Sequence, residues 1–168
     1  KNLQAAREGS ELTAWGCPVQ VWQVAGHTDN HLAYLLTLEQ HLHVFCGDTL
    51  FRAGCGRVFT GTIEQLFESF ERFAELHDEQ TLFYPAHEYG LANLKFAQFI
   101  EPNNQVIKQA WEQDSQLRQQ NKPTLPTALR DEKAINPFLR AAIQPSDAMI
   151  QTLQSQTGIS IGRPFEVF

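Results

Sequence analysis

Alternating apolar and polar residues predict that the first half of the chain is built around strands. The segment CPVQVWQVA (17–25) alternates in this way and ends at Gly26, which predicts a strand. Two further apolar runs, LAYLLTL (32–38) and LHVFC (42–46), flank the polar residues 39–41 and predict a hairpin. Because the run 32–38 is apolar almost throughout, we expect that strand to be covered on both faces.

A helical period follows a glycine-rich loop, GDTLFRAGCGRVFTG (47–61). Thr62 and Gln65 stand at the two positions of a capping box and predict the start of a helix. The next apolar residues fall at helical spacing and predict one buried stripe: Ile63, Leu66, Phe67, Phe70, Phe73 and Ala74. The run TLFYPA (81–86) then predicts another strand.

The chain after Gly90 has the pattern of a helical region. We expect a helix over LANLKFAQFIE that ends at Pro102, and a second helix capped by Asn103. The remaining expectations are the end of that second helix near Gln120, an extended PTLP connector at 123–126, a short helix near 127–135, a turn at Asn136-Pro137 and a helix from Ser146 to Gln156 closed by Gly158.

Composition narrows the function classes. A chain of 168 residues with 42% hydrophobic residues can bury the core of one domain, or of one and a half small ones. Its net charge of −6 argues against nucleic acid or an anionic membrane as the main partner. No apolar run reaches the roughly 18 residues of a transmembrane helix. Three cysteines without a C-x-x-C pair favour reduced thiols, so we expect a cytoplasmic protein.

Three short motifs carry residues that could bind metal. GHTDNH (26–31), CGDTL (46–50) and PAHEYG (85–90) contribute His27, Asp48 and His87, each after a predicted strand. Neutral imidazoles and a bridging carboxylate are the ligands that a hydrolytic metal pair needs. Each histidine alone could equally be a structural or surface residue. Moreover, two imidazoles and one carboxylate do not complete even one tetrahedral zinc site.

The order of four segments is more specific than the metal-ligand residues alone. GHTDNH, FCGDTLFRAGCGRVFTGT, PAHEYGLANLKFA and INPFLR resemble the hydroxyacylglutathione hydrolase (glyoxalase II) family, within the metallo-β-lactamase fold. The resemblance covers about residues 17 to 141 and continues more weakly to the end. It implies an α/β fold: the second half of an αββα sandwich at 1–90, followed by an α-helical glutathione-binding domain at 91–168.

The resemblance also implies roles for individual residues. His27 would bind a first metal, His87 a second, and Asp48 would bridge both and act in catalysis. The cofactors would be two divalent ions, with zinc expected first and iron or manganese as alternatives. His31 would brace the loop or a ligand and would not bind metal itself.

The implied substrate contacts are Arg57, Phe59 and Tyr89, at positions where the family holds glutathione. The arginine fork suits the carboxylates of that substrate. Arg57 could instead be an arginine that braces its loop. Cys55 is expected to be a small residue in a tight turn, since no base is placed to activate its thiol.

The chain also departs from the family pattern. The family's remaining ligands lie in an H-x-H-x-D-H motif upstream, but only 26 residues precede His27 here and none of them is histidine. The basic helix that closes the family is also absent after Phe168. We therefore expect the chain to be the C-terminal part of a longer enzyme. Alone we expect it to be inactive, and either to exchange segments or to require the N-terminal half.

The function implied for the complete enzyme is hydrolysis of S-D-lactoylglutathione to glutathione and D-lactate by a metal-bound hydroxide. This reaction detoxifies methylglyoxal, and the complete enzyme would be a monomer. Two alternatives remain open within the fold: a lactonase, or an iron persulfide dioxygenase with a mononuclear site. A third alternative, from another class, is a non-catalytic fragment that binds glutathione.

Overall fold

The computed structural model describes residues 5–168, which form strands β1–β8 and helices α1–α7. The elements are, in chain order, β1 Glu11–Ala14, β2 Cys17–Gln23, β3 Leu32–Leu38, β4 His41–Gly47, β5 Leu50–Phe51, β6 Gly54–Cys55, α1 Ile63–Ala74, β7 Leu82–Pro85, α2 Gly90–Ile100, α3 Gln105–Gln119, β8 Thr127–Ala128, α4 Leu129–Ile135, α5 Pro137–Ile143, α6 Asp147–Thr157 and α7 Pro164–Val167.

Six strands form one sheet in the order β1-β2-β3-β4-β7-β8, and β5 pairs with β6 in a separate hairpin. Neighbouring strands of the large sheet are antiparallel except for β4 and β7, which are parallel. Helix α1 lies on the crossover between that parallel pair, as parallel connections require. The mixed α/β architecture agrees with the sequence prediction, and the loops after β2, β4 and β7 carry the three candidate metal ligands.

Helix α1 covers one face of the sheet. Its predicted capping box is confirmed: the Thr62 hydroxyl accepts from the Gln65 amide, and the Gln65 side chain accepts from the Thr62 amide. Phe70 and Phe73 are fully buried in a cluster that includes the sheet residue Val44. Burying each such side chain stabilises the fold by about 1.5–3 kcal/mol. Helix α1 therefore holds the strands whose ends carry the site.

The other face of the same strands is partly open in residues 5–168. Tyr34 and Phe45 are cross-strand partners whose neighbours along the chain point toward α1, so these two rings point away from it. Their exposed fractions are 37% and 41%, and Leu38 is 37% exposed. The expectation that strand 32–38 is covered on both faces is therefore met only in part: on this face Leu36 is buried, whereas Tyr34 and Leu38 remain partly exposed.

The helical region follows the predicted order with three differences. Asn104, rather than Asn103, caps α3, accepting from the amides of Val106 and Ile107 in its first turn. Thr127 and Ala128 pair with β7 as an edge strand, so the helix expected near 127–135 begins at Leu129. Asn136 caps helix α5, where only a turn was predicted.

The last long helix agrees with the prediction. Ser146 accepts from the Met149 amide at the start of α6, and Gly158 ends the helix in a left-handed conformation. None of the helices in residues 5–168 combines the length and apolar character needed to cross a membrane. The three cysteines are all free thiols.

Candidate functional site

Asp48 lies between the two candidate ligand imidazoles. One carboxylate oxygen, Oδ1, is 3.2 Å from His87 Nε2, and the other, Oδ2, is 3.8 Å from His27 Nε2. The three residues come from loops that follow β2, β4 and β7, and the shared sheet brings these loops to one edge. Each carboxylate oxygen therefore faces a different imidazole, as a bridging position between two cations requires.

Backbone contacts fix which nitrogen of His27 faces the carboxylate. Its Nδ1 lies 2.7 Å from the carbonyl oxygen of Arg57. Because a carbonyl only accepts, Nδ1 must carry a proton, so in the neutral ring the Nε2 lone pair is directed toward Asp48. Orientation of a ligand imidazole by a carbonyl is common around protein metal sites.

His31 holds the backbone of Asp48. Its Nε2 accepts from the Asp48 amide at 3.0 Å, and its ring lies edge-on to His27 at 5.5 Å. Burial, and secondarily the charge of His27, lower the pKa of His31, and this favours the neutral ring that can accept. The prediction that His31 braces its surroundings agrees with these contacts, but the identity of the braced atom could not be foreseen.

Two glycines allow the loops to approach each other around Asp48. Gly47 has φ +56°, and a Cβ there would lie 2.6 Å from His31 Nε2. A Cβ on Gly56 would collide with the Asp48 carbonyl oxygen. Glycine is needed at both positions because no larger residue leaves space for the carboxylate loop.

A cleft of about 680 Å³ opens over the three candidate ligands. All the residues that the sequence assigned to substrate binding line it: Arg57, Phe59 and Tyr89. The Phe59 ring lies edge-on to His27, and the Tyr89 ring stacks on His87, each at 5.0 Å between centroids. Both aromatic rings are largely exposed and thus available to a ligand.

Four cleft-lining residues were missed as site residues by the sequence prediction: Phe51, Cys55, Ala92 and Asn93. Phe51 and Cys55 belong to the β5–β6 hairpin, and the other two belong to the first turns of α2. Burial raises the pKa of the Cys55 thiol to about 12, which agrees with the expectation that it is not a nucleophile. The helical residues gave no sequence signal, because their proximity depends on how α2 packs beside the hairpin.

The donor atoms have the right chemistry for divalent metals but form only partial sites. Nowhere in residues 5–168 do three His, Cys, Asp or Glu side chains converge on one point that could hold a metal ion. His27, Asp48 and His87 instead form a row with Asp48 in the middle. Each end of the row therefore offers two donors, one imidazole nitrogen and one oxygen of Asp48. Hydrolytic zinc normally has three protein ligands, so these residues fit as one share of a two-metal site.

Sequence comparison places the chain near a known family of hydrolases. Residues 88–168 match the family model described as the C-terminus of hydroxyacylglutathione hydrolase. A curated hydroxyacylglutathione hydrolase from Neisseria meningitidis serogroup A is 50% identical over 160 residues. That alignment covers 95% of this chain and 60% of the relative, so the chain spans about three fifths of the relative's length.

Solved structures show the same fold. A metallo-β-lactamase from Staphylococcus aureus superposes with a TM-score of 0.56 at 18% identity, over 96% of this chain and 40% of its own. The ETHE1 protein from Myxococcus xanthus superposes with a TM-score of 0.53 at 26% identity, over 95% of this chain and 53% of its own. The chain therefore has part of a metallo-β-lactamase fold together with its C-terminal helices.

Proposed function

We propose that this chain, which is similar to hydroxyacylglutathione hydrolases over nearly its whole length, is part of an enzyme that hydrolyses S-D-lactoylglutathione. The products are glutathione and D-lactate, so the reaction completes the detoxification of methylglyoxal. One observation carries the proposal: Asp48 lies between two imidazoles in the same cleft as Arg57 and Tyr89. That arrangement places a carboxylate that could bridge two metal ions beside side chains that suit the glutathione part of the substrate.

The proposed metal ligands are His27 for one ion, His87 for the other and Asp48 for both. These three residues would hold divalent ions, which when bound would lower the pKa of water and polarise a carbonyl, as thioester hydrolysis needs. Zinc is the expected metal, with iron or manganese as alternatives. The Arg57 carbonyl keeps His27 in the tautomer that can bind metal, and His31 holds the Asp48 backbone.

The proposed substrate contacts lie on two sides of the ligand row. The guanidinium of Arg57 can pair with a glutathione carboxylate through two parallel hydrogen bonds. Phe59 and Tyr89 offer exposed aromatic surface on opposite sides, next to His27 and His87 respectively. Together they orient the thioester over Asp48 and exclude water from the rest of the substrate.

The wider setting is also proposed. The complete enzyme acts as a cytoplasmic monomer on a small acylglutathione, without nucleic acid or membrane as partner. Residues 5–168 alone would contribute two donors to each metal, and their sheet has a partly open face at Tyr34 and Phe45. They are therefore inactive until the missing ligands are supplied.

A second candidate concerns the 168 residues by themselves. Because no three-donor group exists in residues 5–168 while the cleft is intact, this part can bind glutathione without catalysing its release. This candidate predicts that the isolated chain binds S-methylglutathione, a thioether that cannot be hydrolysed. It also predicts less than one metal ion bound per chain.

The test uses a protein that carries these residues at the full length of the relatives, loaded with zinc or iron. We expect loss of the thioester absorbance of S-D-lactoylglutathione and two metal ions by elemental analysis. Asp48→Asn should remove most of the turnover. The matched control is Asp78→Asn, since Asp78 also pairs with a histidine, His41, but at the surface away from the cleft. Failure of the metal-loaded protein to hydrolyse any acylglutathione would refute the proposal.

A further inference from the structure

The β5–β6 hairpin forms one wall of the cleft but does not belong to the large sheet. It carries Phe51 and Cys55 into the cleft, and Arg57 follows two residues later. Its strands pair only with each other, over two residues each. A two-stranded hairpin of this size is not stable by itself. Its position must therefore be fixed by contacts outside its own ladder.

Asn136 supplies the first of these contacts. Its fully buried side-chain amide donates to the carbonyls of Phe51 at 3.2 Å and Gly54 at 3.0 Å, and to the Glu132 carboxylate at 2.8 Å. Glu132, also fully buried, accepts from the Ala53 amide at 2.9 Å. Three backbone groups of the hairpin thus bind two side chains from the start of α5 and from α4.

A second layer ties the turn of the hairpin to more helices. The Arg52 guanidinium donates to Asp114 on α3 at 2.6 and 2.9 Å and to the Thr127 hydroxyl at 3.0 Å. That hydroxyl donates to Glu132 at 2.6 Å, which links both layers. Asn93 on α2 donates to the Arg52 carbonyl at 3.0 Å. The hairpin is therefore fastened to four helices through one continuous buried network.

The target of these bonds distinguishes a positioning role from general stabilisation. Asn136 and Glu132 do not line the cleft, and they bind backbone atoms within residues 51–54, directly beside the cleft residues. Such contacts fix the path of the backbone, and hence the direction in which the following residues project. Buried networks that are fully satisfied make a unique arrangement rigid.

We propose that Asn136 and Glu132 are positioning residues that hold the β5–β6 hairpin, and through it Arg57, in the geometry that binds the glutathione part of the substrate. This inference rests on the proposed function. It adds that two buried residues of the helical region, Asn136 and Glu132, control substrate affinity through the cleft wall without touching the substrate themselves.

Asn136→Ser separates the two roles of this residue. Serine caps helices as well as asparagine does, so α5 keeps a cap, but its short hydroxyl cannot reach the hairpin carbonyls. The matched control is Asn104→Ser on α3, because Asn104 makes the same pair of cap hydrogen bonds and has no bond to the hairpin. Both variants are made in the full-length, metal-loaded protein.

Two measurements are made on each variant. Amide hydrogen exchange over residues 50–57 should be about tenfold faster in Asn136→Ser than in Asn104→Ser, because buried carbonyls lose their donor. KM for S-D-lactoylglutathione should rise by about tenfold with a smaller change in kcat, as expected when substrate binding is weakened uniformly. Equal exchange in the two variants, or faster exchange with unchanged KM, would overturn the proposal.

A second pair of variants covers the case in which Asn136→Ser does not fold. Glu132→Gln keeps the shape of the network but places an amide group among hydrogen-bond donors. Its control is Glu101→Gln, since Glu101 is a buried carboxylate paired with an arginine, Arg140, far along the chain from the hairpin. Hydrogen exchange over residues 50–57 and KM are measured on this pair as well, with the same outcomes expected. Turnover by the unmodified protein tests the proposed function separately, so a failed positioning role is not mistaken for a failed enzymatic activity.

Discussion

The backbone amide of Asp48 donates to the imidazole Nε2 of His31 at 3.0 Å. This bond holds the backbone that carries the candidate bridging carboxylate. His31 lies between two proposed ligands without occupying a ligand position itself. Partners of this kind typically change metal affinity by about 10–100-fold when they are removed.

His31→Ala should therefore weaken metal retention in the full-length protein by about 10–100-fold. The Asp48 amide loses its acceptor, and the carboxylate is no longer held in place between the two imidazoles. Metal content after dialysis against a graded series of chelator concentrations measures the effect. His41→Ala is the control, because His41 is exposed and pairs only at the surface with Asp78. Equal retention by the two variants would contradict the role of His31.

Gly47→Ala should be more damaging than Gly158→Ala. Both glycines have positive φ, +56° and +69°, so each substitution carries a backbone cost of about 1–2 kcal/mol. Only at Gly47 would the new Cβ also meet a neighbour, His31 Nε2, whereas nothing lies within 4 Å at Gly158. Urea unfolding of the two variants should show a larger loss of unfolding free energy for Gly47→Ala. Equal losses would mean that His31 moves away without cost.

Arg57→Ala should raise KM for acylglutathiones by about tenfold while kcat changes little, because the lost interaction is with a part of the substrate that does not react. Arg57→Lys should recover only part of the affinity, since an ammonium lacks the planar fork that pairs with a carboxylate. Arg130→Ala, at an exposed arginine of the helical region, serves as the control. A fall in kcat with constant KM would instead place Arg57 at the reacting carbonyl.

Cysteine reactivity tests the packing around the cleft. Burial raises the pKa of both Cys46 and Cys55 to about 12, so each thiol is almost entirely un-ionised at pH 8. Iodoacetamide should therefore modify the partly exposed Cys17 first and the other two very slowly, as followed by peptide mass spectrometry. In urea all three should react at similar rates. Rapid native alkylation of Cys55 would show that its thiol, in the cleft wall, is reached and ionised more readily than its burial implies.

Local patterns in the sequence were sufficient for much of the fold. The capping box at Thr62 and Gln65 predicted the start of α1, because both of its hydrogen bonds join residues three apart. Gly158 likewise ended α6 as predicted. Such features depend on neighbouring residues alone, and therefore remain valid whatever the rest of the chain does.

Features that depend on distant contacts were less accessible. Asn136 was predicted to stand in a turn, but it caps a helix and binds Phe51 and Gly54, more than eighty residues earlier in the chain. For the site, the ligand row and the arginine followed from motifs. The buried supports of the cleft wall did not, because Glu132 and Asp114 look like ordinary solvated charges on a helix in the sequence.

The short edge strand Thr127–Ala128 has a consequence for how the chain folds. It pairs with β7 only after helices α2 and α3 have returned the chain to the sheet, and the residue after it begins α4, which holds Glu132. Contacts so far apart in sequence form late, because the intervening loop must close first. During synthesis, the β5–β6 hairpin would therefore lack its helical contacts until the helical region has emerged. The loops that carry the candidate metal ligands would be in place before the cleft wall is ordered.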